Sequence, residues 1–400
     1  MSLDRELSRA LQRIQAPDEL EAQRRAWPLV RAALDAREPI AWPRRNLRPL
    51  LAAAVAVVIL AAAISPPGRA LVGSVRDAVT TTEKVKARPA LTSLPAPGVL
   101  LVNSKTGPWL VRADGSKRAL GPWWEGSWSP QAKYVAVTRA HQLAAIDPNA
   151  KGAIRWSLER PGAVHAARWS PEGFRIAYLN GPELRVVAGD GTGDGVLRQR
   201  VGTTTPAWRP GGADHELAFS TVDGRIELVQ TDSAKTLWRT VPGEVPTQLV
   251  WSEDGKRLLV LSERSLRALD LNGHRLWTLG LPVGPSGVAF VRKSHRFVMI
   301  RYSPATGLSD LVLLQAEADR GESRFLYSSP GDFGTLAISP NGNWLLVGWV
   351  NADQWLFLRL SAVKVQAVSN IVEQFGIAAP HGALTKTFPK SVSWCCPASP

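Results

Sequence analysis

From residue 127 onward the chain repeats one pattern of apolar and polar positions. An apolar residue or Trp closes a short β run, Ser-Pro or a relative follows, then a Gly turn, then a second β run. The copies read SWSPQAKYVAVT (127–138), RWSPEGFRIAYL (168–179), AWRPGGADHELAFS (207–220), VWSEDGKRLLVLS (250–262), AFVRKSHRFVMIR (289–301) and AISPNGNWLLVGW (337–349). Their anchors Trp128, Trp169, Trp208, Trp251, Phe290 and Ile338 lie 41, 39, 43, 39 and 48 residues apart. A period near forty built from strands predicts the blades of a propeller. Each unit continues into a further strand and an Asp or Asn turn, as in ELRVVAGDG (183–191), RIELVQTDS (225–233) and LRALDLNGH (266–274). Gly and Asn there supply the positive φ of tight hairpins. A small sheet with two apolar faces buries them only between neighbours, so the anchors read as inter-blade packing residues.

Closure follows from the two ends of this region. The segment from Val99 to Leu120 carries later strands of a unit (VLLVNS, PWLVRADGS, KRAL) without the phrase before them. The missing first strand stands at the C-terminus, where FPKSVSWCCPASP (388–400) places Trp394 in the phrase, 56 residues after Ile338. The expectation is an all-β, seven-bladed β-propeller closed by the C-terminal strand, which removes the open edges that invite aggregation.

The N-terminal part has a different pattern. Leu50 to Ile64 are all Leu, Ala, Val or Ile, and with the flanking residues the run is long enough for one transmembrane helix at 47–65. Arg44, Arg45 and Arg48 precede it and Pro66, Pro67 and Gly68 stop it. The positive-inside tendency puts residues 1–46 in the cytoplasm and the repeats outside. Within 1–46, Leu3, Leu7, Leu11 and Ile14 recur at helical spacing, and a second stripe holds Leu20, Trp27, Val30 and Leu34. Two such short helices bury too little apolar area to fold alone, so they are expected against the membrane or a cytoplasmic protein partner. Residues 66–97 read as a linker and 98–400 as the propeller.

Composition narrows the chemistry. With 45% hydrophobic residues the chain can bury a large core. Two adjacent cysteines, Cys395 and Cys396, make neither a disulfide framework nor a structural zinc site. Alternation along a strand sends their side chains to opposite faces, which predicts two small buried residues. The six His are scattered singly, so no metal site is expected. The net charge of +14 is spread along the chain without a Lys/Arg cluster and interleaved aromatics, which argues against nucleic acid. In GDGTGDG (189–195), Asp190, Thr192 and Asp194 alternate as in a calcium loop, but no Glu stands at loop position twelve, so a hairpin turn is expected. Neither G-x-S-x-G nor G-x-x-x-x-G-K-[ST] occurs. No catalytic residue and no cofactor is assigned.

The WSPDG-type phrases resemble those of the TolB-like, PD40-type bacterial envelope propellers, relatives of the WD40 class, over about residues 98–400. The resemblance implies a membrane-anchored, extracytoplasmic binding or sensing platform for an envelope protein or polymer. The copies at Trp208 and Phe290 depart from the phrase, and irregular blades are expected there. The layout of a small helical piece, one crossing and an external domain is also similar to that of membrane-bound anti-sigma regulators, without the His-x-x-x-Cys-x-x-Cys motif of the zinc-containing members. An enzyme whose residues converge at the mouth of the ring stays open as an alternative, since such sites leave no linear motif.

Overall fold

The computed structural model describes residues 87–400 except 151, 213–214, 285–286, 318–322, 363, 377–386 and 397–400. The expected cytoplasmic segment, the crossing at 47–65 and the linker up to residue 86 lie outside the described residues. Among the described residues no helix is long and apolar enough to cross a membrane.

Among the described residues, seven four-stranded antiparallel sheets form the fold. Blade 1 contains β1 (Val99–Ser104), β2 (Gly107–Val111) and β3 (Lys117–Ala119). Blade 2 contains β4 (Glu125–Trp128), β5 (Val135–Arg139), β6 (Gln142–Asp147) and β7 (Ala153–Glu159). Blade 3 contains β8 (Val164–Trp169), β9 (Arg175–Asn180), β10 (Glu183–Ala188) and β11 (Gly195–Gln199). Blade 4 contains β12 (Ala207–Trp208), β13 (Glu216–Ser220), β14 (Ile226–Gln230) and β15 (Lys235–Arg239). Blade 5 contains β16 (Pro246–Trp251), β17 (Arg257–Ser262), β18 (Ser265–Asp270) and β19 (Arg275–Gly280). Blade 6 contains β20 (Gly287–Phe290), β21 (Arg296–Ser303), β22 (Leu308–Gln315) and β23 (Arg324–Pro330). Blade 7 contains β24 (Phe333–Ile338), β25 (Trp344–Trp349), β26 (Gln354–Arg359) and β27 (Val365–Ser369). The last strand, β28 (Ser391–Cys395), returns to blade 1 and pairs with β1 in the register Leu100↔Trp394.

The innermost strands touch in sequence around the axis, β4 to β8, β12, β16, β20, β24, β28 and back to β4, so the ring is closed. The second strands are buried on both faces, as in β9 and β17, which is why they read as apolar runs and not as alternating ones. The fourth strands are the outer edges and carry charge, as Arg155 and Glu159 do on β7, which discourages edge pairing. Turns between first and second strands and between third and fourth strands lie on one side of the ring, here the front face. Second-to-third turns and the inter-blade connections lie on the back face.

The departures at the two irregular phrases have different outcomes. In blade 4 the first strand shrinks to two residues, Ala207–Trp208, between Pro206 and Pro210, neither of which has an N–H to donate. In blade 6 the sheet is intact, and β21 and β22 are each eight residues long. Residues 87–97, the end of the expected linker, are packed: Arg88 bridges Val368, and Leu91, Leu94 and Ala96 are buried between blades 7 and 1. A short helix, α1 (Ile371–Gln374), interrupts the final connection, and Phe375 after it packs on Trp355 and Trp109 with ring centroids 5.0 and 6.0 Å apart. The cysteines correct the expectation from strand alternation. β28 ends at Cys395, Cys396 takes φ 44°, and the two sulfurs are joined as a disulfide.

Candidate functional site

Seven apolar clusters fill the seven spaces between blades, and each sequence anchor falls in a different one. Trp128 packs on the cluster between blades 1 and 2 and Trp169 on that between 2 and 3. Trp208, Trp251 and Phe290 follow between blades 3 and 4, 4 and 5, and 5 and 6. Ile338 lies between blades 6 and 7, and Trp394 between 7 and 1. Two of the indoles also reach back to the preceding inner strand: Trp208 Nε1 donates to Arg168 O at 2.8 Å and Trp251 Nε1 to Ala207 O at 3.2 Å.

The rest of the phrase has its own chemistry. The buried hydroxyls of Ser129, Ser170, Ser252 and Ser339 accept from the backbone N–H five residues on, at 2.8 to 3.0 Å. Ser252 and Ser339 donate in turn to Asp254 and Asn341, both at 2.7 Å, whose other contacts close the Gly turn. The phrase is therefore a turn that satisfies its own polar groups.

On the front face these turns build a recurring clamp between blades. His295, just before β21, meets Asp254 of blade 5 through Nε2 at 2.8 Å and Glu317 of its own blade through Nδ1. Arg257 of blade 5 completes it at 2.5 Å from Glu317. His215, just before β13, repeats the arrangement with Glu172 of blade 3 at 3.2 Å, Asp232 at 3.0 Å and Arg175 3.2 Å from Asp232. Each imidazole thus has both ring nitrogens within hydrogen-bond distance of a carboxylate. Burial alone would raise the Asp254 carboxyl, but hydrogen bonds from Ser252 and His295 more than offset it and hold it down to about 2. Glu317 is likewise lowered, burial being outweighed by Arg257 and His295.

Between blades 2 and 3 the same four places hold different residues. Gln131 stands where Glu172 and Asp254 stand, Phe174 where His215 and His295 stand, and Tyr134 where Arg175 and Arg257 stand. Asp190 alone keeps its carboxylate, and it turns inward to Thr192. No charged clamp forms, and a cleft of about 640 Å³ lies there, walled also by Trp156 and Trp169; a cavity of about 540 Å³ lies beside the clamp of Asp254 and His295. Of the charges around it, Arg155 pairs with Asp147, Arg175 with Asp232 and Glu172 with His215, while Lys133 lies over the Tyr134 ring at 5.5 Å. Phe174 is left 63% exposed at the rim, its edge toward His215 at 6.4 Å.

A second cavity, about 360 Å³, is bounded by the inner strands of blades 3, 4 and 5. The Gly-rich run is a hairpin turn in which Asp194 is bound by Tyr178, Arg185 and Arg160, and among the described residues no group of His, Cys, Asp and Glu could hold a metal ion.

Sequence reasoning missed a second aromatic series on the fourth strands. Trp156, Trp238, Trp277 and Tyr327 each stand opposite the third strand beside a β-bulge. Trp156 and Trp238 donate to Gly189 O and Leu271 O of the next blade at 2.9 and 2.8 Å. They lie flat against Gly191 and Gly273, where an added Cβ would come within 2.7 and 2.6 Å of the indole. Trp277 stacks on Phe297 of blade 6 at 6.0 Å. The spacing of 39 residues between Trp238 and Trp277 was a usable signal.

These features define an all-β, seven-bladed propeller. No family model and no curated protein matches the chain. Among solved structures it is similar to a functionally unknown protein of Desulfotomaculum acetoxidans (TM-score 0.56, 11% identity, 75% of this chain and 99% of that one). It is similar as well to a Bacteroides uniformis protein titled "putative 6-phosphogluconolactonase" (0.54, 14%, 75% and 99%) and to the WD40 domain of Toxoplasma gondii coronin (0.50, 11%, 62% and 70%). At such identities the likeness is one of fold.

Proposed function

We propose that the ring is a protein-recognition platform whose front-face cleft between blades 2 and 3 seats an apolar side chain of a partner. The observation that carries this reading is the cleft of about 640 Å³ itself, in which Gln131, Tyr134 and an exposed Phe174 occupy the places that hold charged clamps between blades 3 and 4 and between blades 5 and 6. An aromatic anchor in a preformed cleft with a charged rim is the arrangement in which a few residues supply most of the binding energy. Binding is favoured over turnover because both ring nitrogens of His215 and of His295 are already held by carboxylates.

The proposal includes the setting. The apolar run at 47–65 holds the propeller on the outer side of a cell membrane, as in the TolB-like proteins its phrases resemble, and residues 1–46 contact a cytoplasmic protein. The test uses the full chain in its own membranes, with a photo-crosslinking phenylalanine at position 174 and, as control, at Val222 in a back-face turn. A discrete adduct from position 174 alone is expected; no adduct, or the same adducts from both positions, refutes the cleft. Protease added to intact cells is expected to digest the propeller, and its survival refutes the orientation.

A further inference from the structure

The axial cavity has one charged residue, Arg168 of β8, among polar neutral and apolar neighbours such as Thr205, Thr247, Gln248 and Trp208. Its Nη1 donates to Ala167 O at 2.7 Å, a main-chain oxygen that carries no countercharge. No carboxylate among the described residues lies within ion-pair distance of it. Glu125 on the neighbouring inner strand is the acid whose field it feels, but that carboxylate is committed through Oε1 to Ala166 N and Thr138 Oγ1. Gln248, the other strongly polar lining group, has both ends of its amide bound to Val288 of blade 6 at 3.0 and 3.1 Å. The part-buried Arg168 guanidinium has no ion-pair partner, and burial pulls it below its ordinary value against the opposing field of Glu125. A ligand that brings a negative charge into contact with it offsets that burial, and the planar fork of Arg fits two oxygens of one group.

We propose that the cavity bounded by β8, β12 and β16 binds a small oxyanion, a carboxylate or phosphoryl group, held by the guanidinium of Arg168. This site shares the Trp169 wall with the cleft between blades 2 and 3 but rests on Arg168, which does not line that cleft, so either reading can fail without the other. The volume suits a free small molecule of about the size of citrate. Trp169, Trp208 and Trp251 line the cavity, so occupancy should be read in their fluorescence.

The experiment titrates the full chain with citrate and with inorganic phosphate, and with glycerol as the neutral control, by calorimetry and Trp fluorescence. Saturable 1:1 binding of citrate or phosphate and none of glycerol is expected. Arg168→Gln should weaken it at least tenfold, Arg168→Lys by less, and Arg139→Gln at the exposed back end of β5 not at all. Citrate without phosphate assigns the site to carboxylates, and the reverse to phosphoryl groups. Because Arg168 variants can fail to fold, the unaltered chain is also treated with phenylglyoxal, an arginine reagent, with and without the probes. Protection of Arg168 and not of Arg139 is expected. The proposal is overturned if neither probe saturates, if binding survives Arg168→Gln, or if Arg168 reacts equally in both conditions.

Discussion

Trp394→Ala tests how the ring is fastened. Trp394 is 7% exposed, packs edge-on against Phe357 at 5.9 Å, and sits on a strand whose sheet partner is β1 alone. Removing a buried Trp side chain costs about 3–5 kcal/mol, and an aromatic pair adds ~1 kcal/mol that Ala cannot supply. Trp208 is equally buried but its strand β12 belongs to a sheet built from consecutive strands, so Trp208→Ala carries a similar side-chain loss without loosening the closing strand. Denaturant unfolding is therefore expected to show about 3–5 kcal/mol lost in both variants with little change in m. Amide exchange should separate them. In Trp394→Ala the opening free energy of β1 amides should fall by the full amount while blade 4 keeps its protection, because five strand residues can leave as a local unit. A loss below about 1 kcal/mol, or exchange that accelerates evenly in all blades, would refute closure by β28 as the fastening step.

Asp254→Asn tests the clamp through its pH dependence. The shift from 3.8 to about 2 is discounted for a side chain 42% exposed, leaving about 1 kcal/mol. A carboxyl lowered by folding stabilises above its ordinary value, so the difference from the variant should be full at pH 6 and vanish as pH falls from about 4 toward 2, read in urea titrations. A difference that grows on acidification would refute it. Ser252→Ala strands the Arg257 N–H in a buried turn and should lower stability by about 1–2 kcal/mol in the same assay, whereas a neutral effect would remove the polar account of the phrase. Gly273→Ala drives a Cβ to 2.6 Å from Trp238 at φ +80° and should cost about 2–4 kcal/mol, with a shifted Trp emission. Gly193→Ala, at φ +64° with nothing within 4 Å, should cost only about 1 kcal/mol, and equal losses would dismiss the Trp contact.

The part of the fold legible in sequence is the part written within one blade. Trp, Ser, Gly and the following apolar run are neighbours along the chain, so their period exposed the blades and the displaced copy around Trp394 pointed to closure. The clamps were illegible because they are assembled one blade apart: His295 meets Asp254 across 41 positions, and His215 meets Glu172 across 43. Read singly, those His seemed scattered, yet they stand two blade periods apart, each just before a second strand. Aligning charged positions on the phrase, and not only the apolar ones, would have shown both clamps and the place where Phe174 interrupts them. The axial position of Arg168 had no linear signal, because it depends on which side of a bulged inner strand faces the axis.

Opening one interface at its front end shifts its fastening elsewhere, and the structure has such a substitute between blades 2 and 3. Arg160, which leaves blade 2 after β7, reaches Asp194 of blade 3 at 2.6 Å and Tyr178 at 3.0 Å, and Arg185 lies 2.5 Å from the same carboxylate. Burial would raise Asp194, but the bonds from Arg185 and Tyr178 hold it lowered, and burial pushes the Tyr178 hydroxyl up to about 12, so the network stays charged and hydrogen-bonded through the neutral range. Glu125 adds a bond from blade 2 to the Ala166 N–H on the axial side, and Trp156 adds one to Gly189 on the outer side. The interface is thus held at its centre, axis and rim while its front mouth carries a bare phenyl ring. The cleft proposed as a partner site therefore coexists with an interface fastened at three other places.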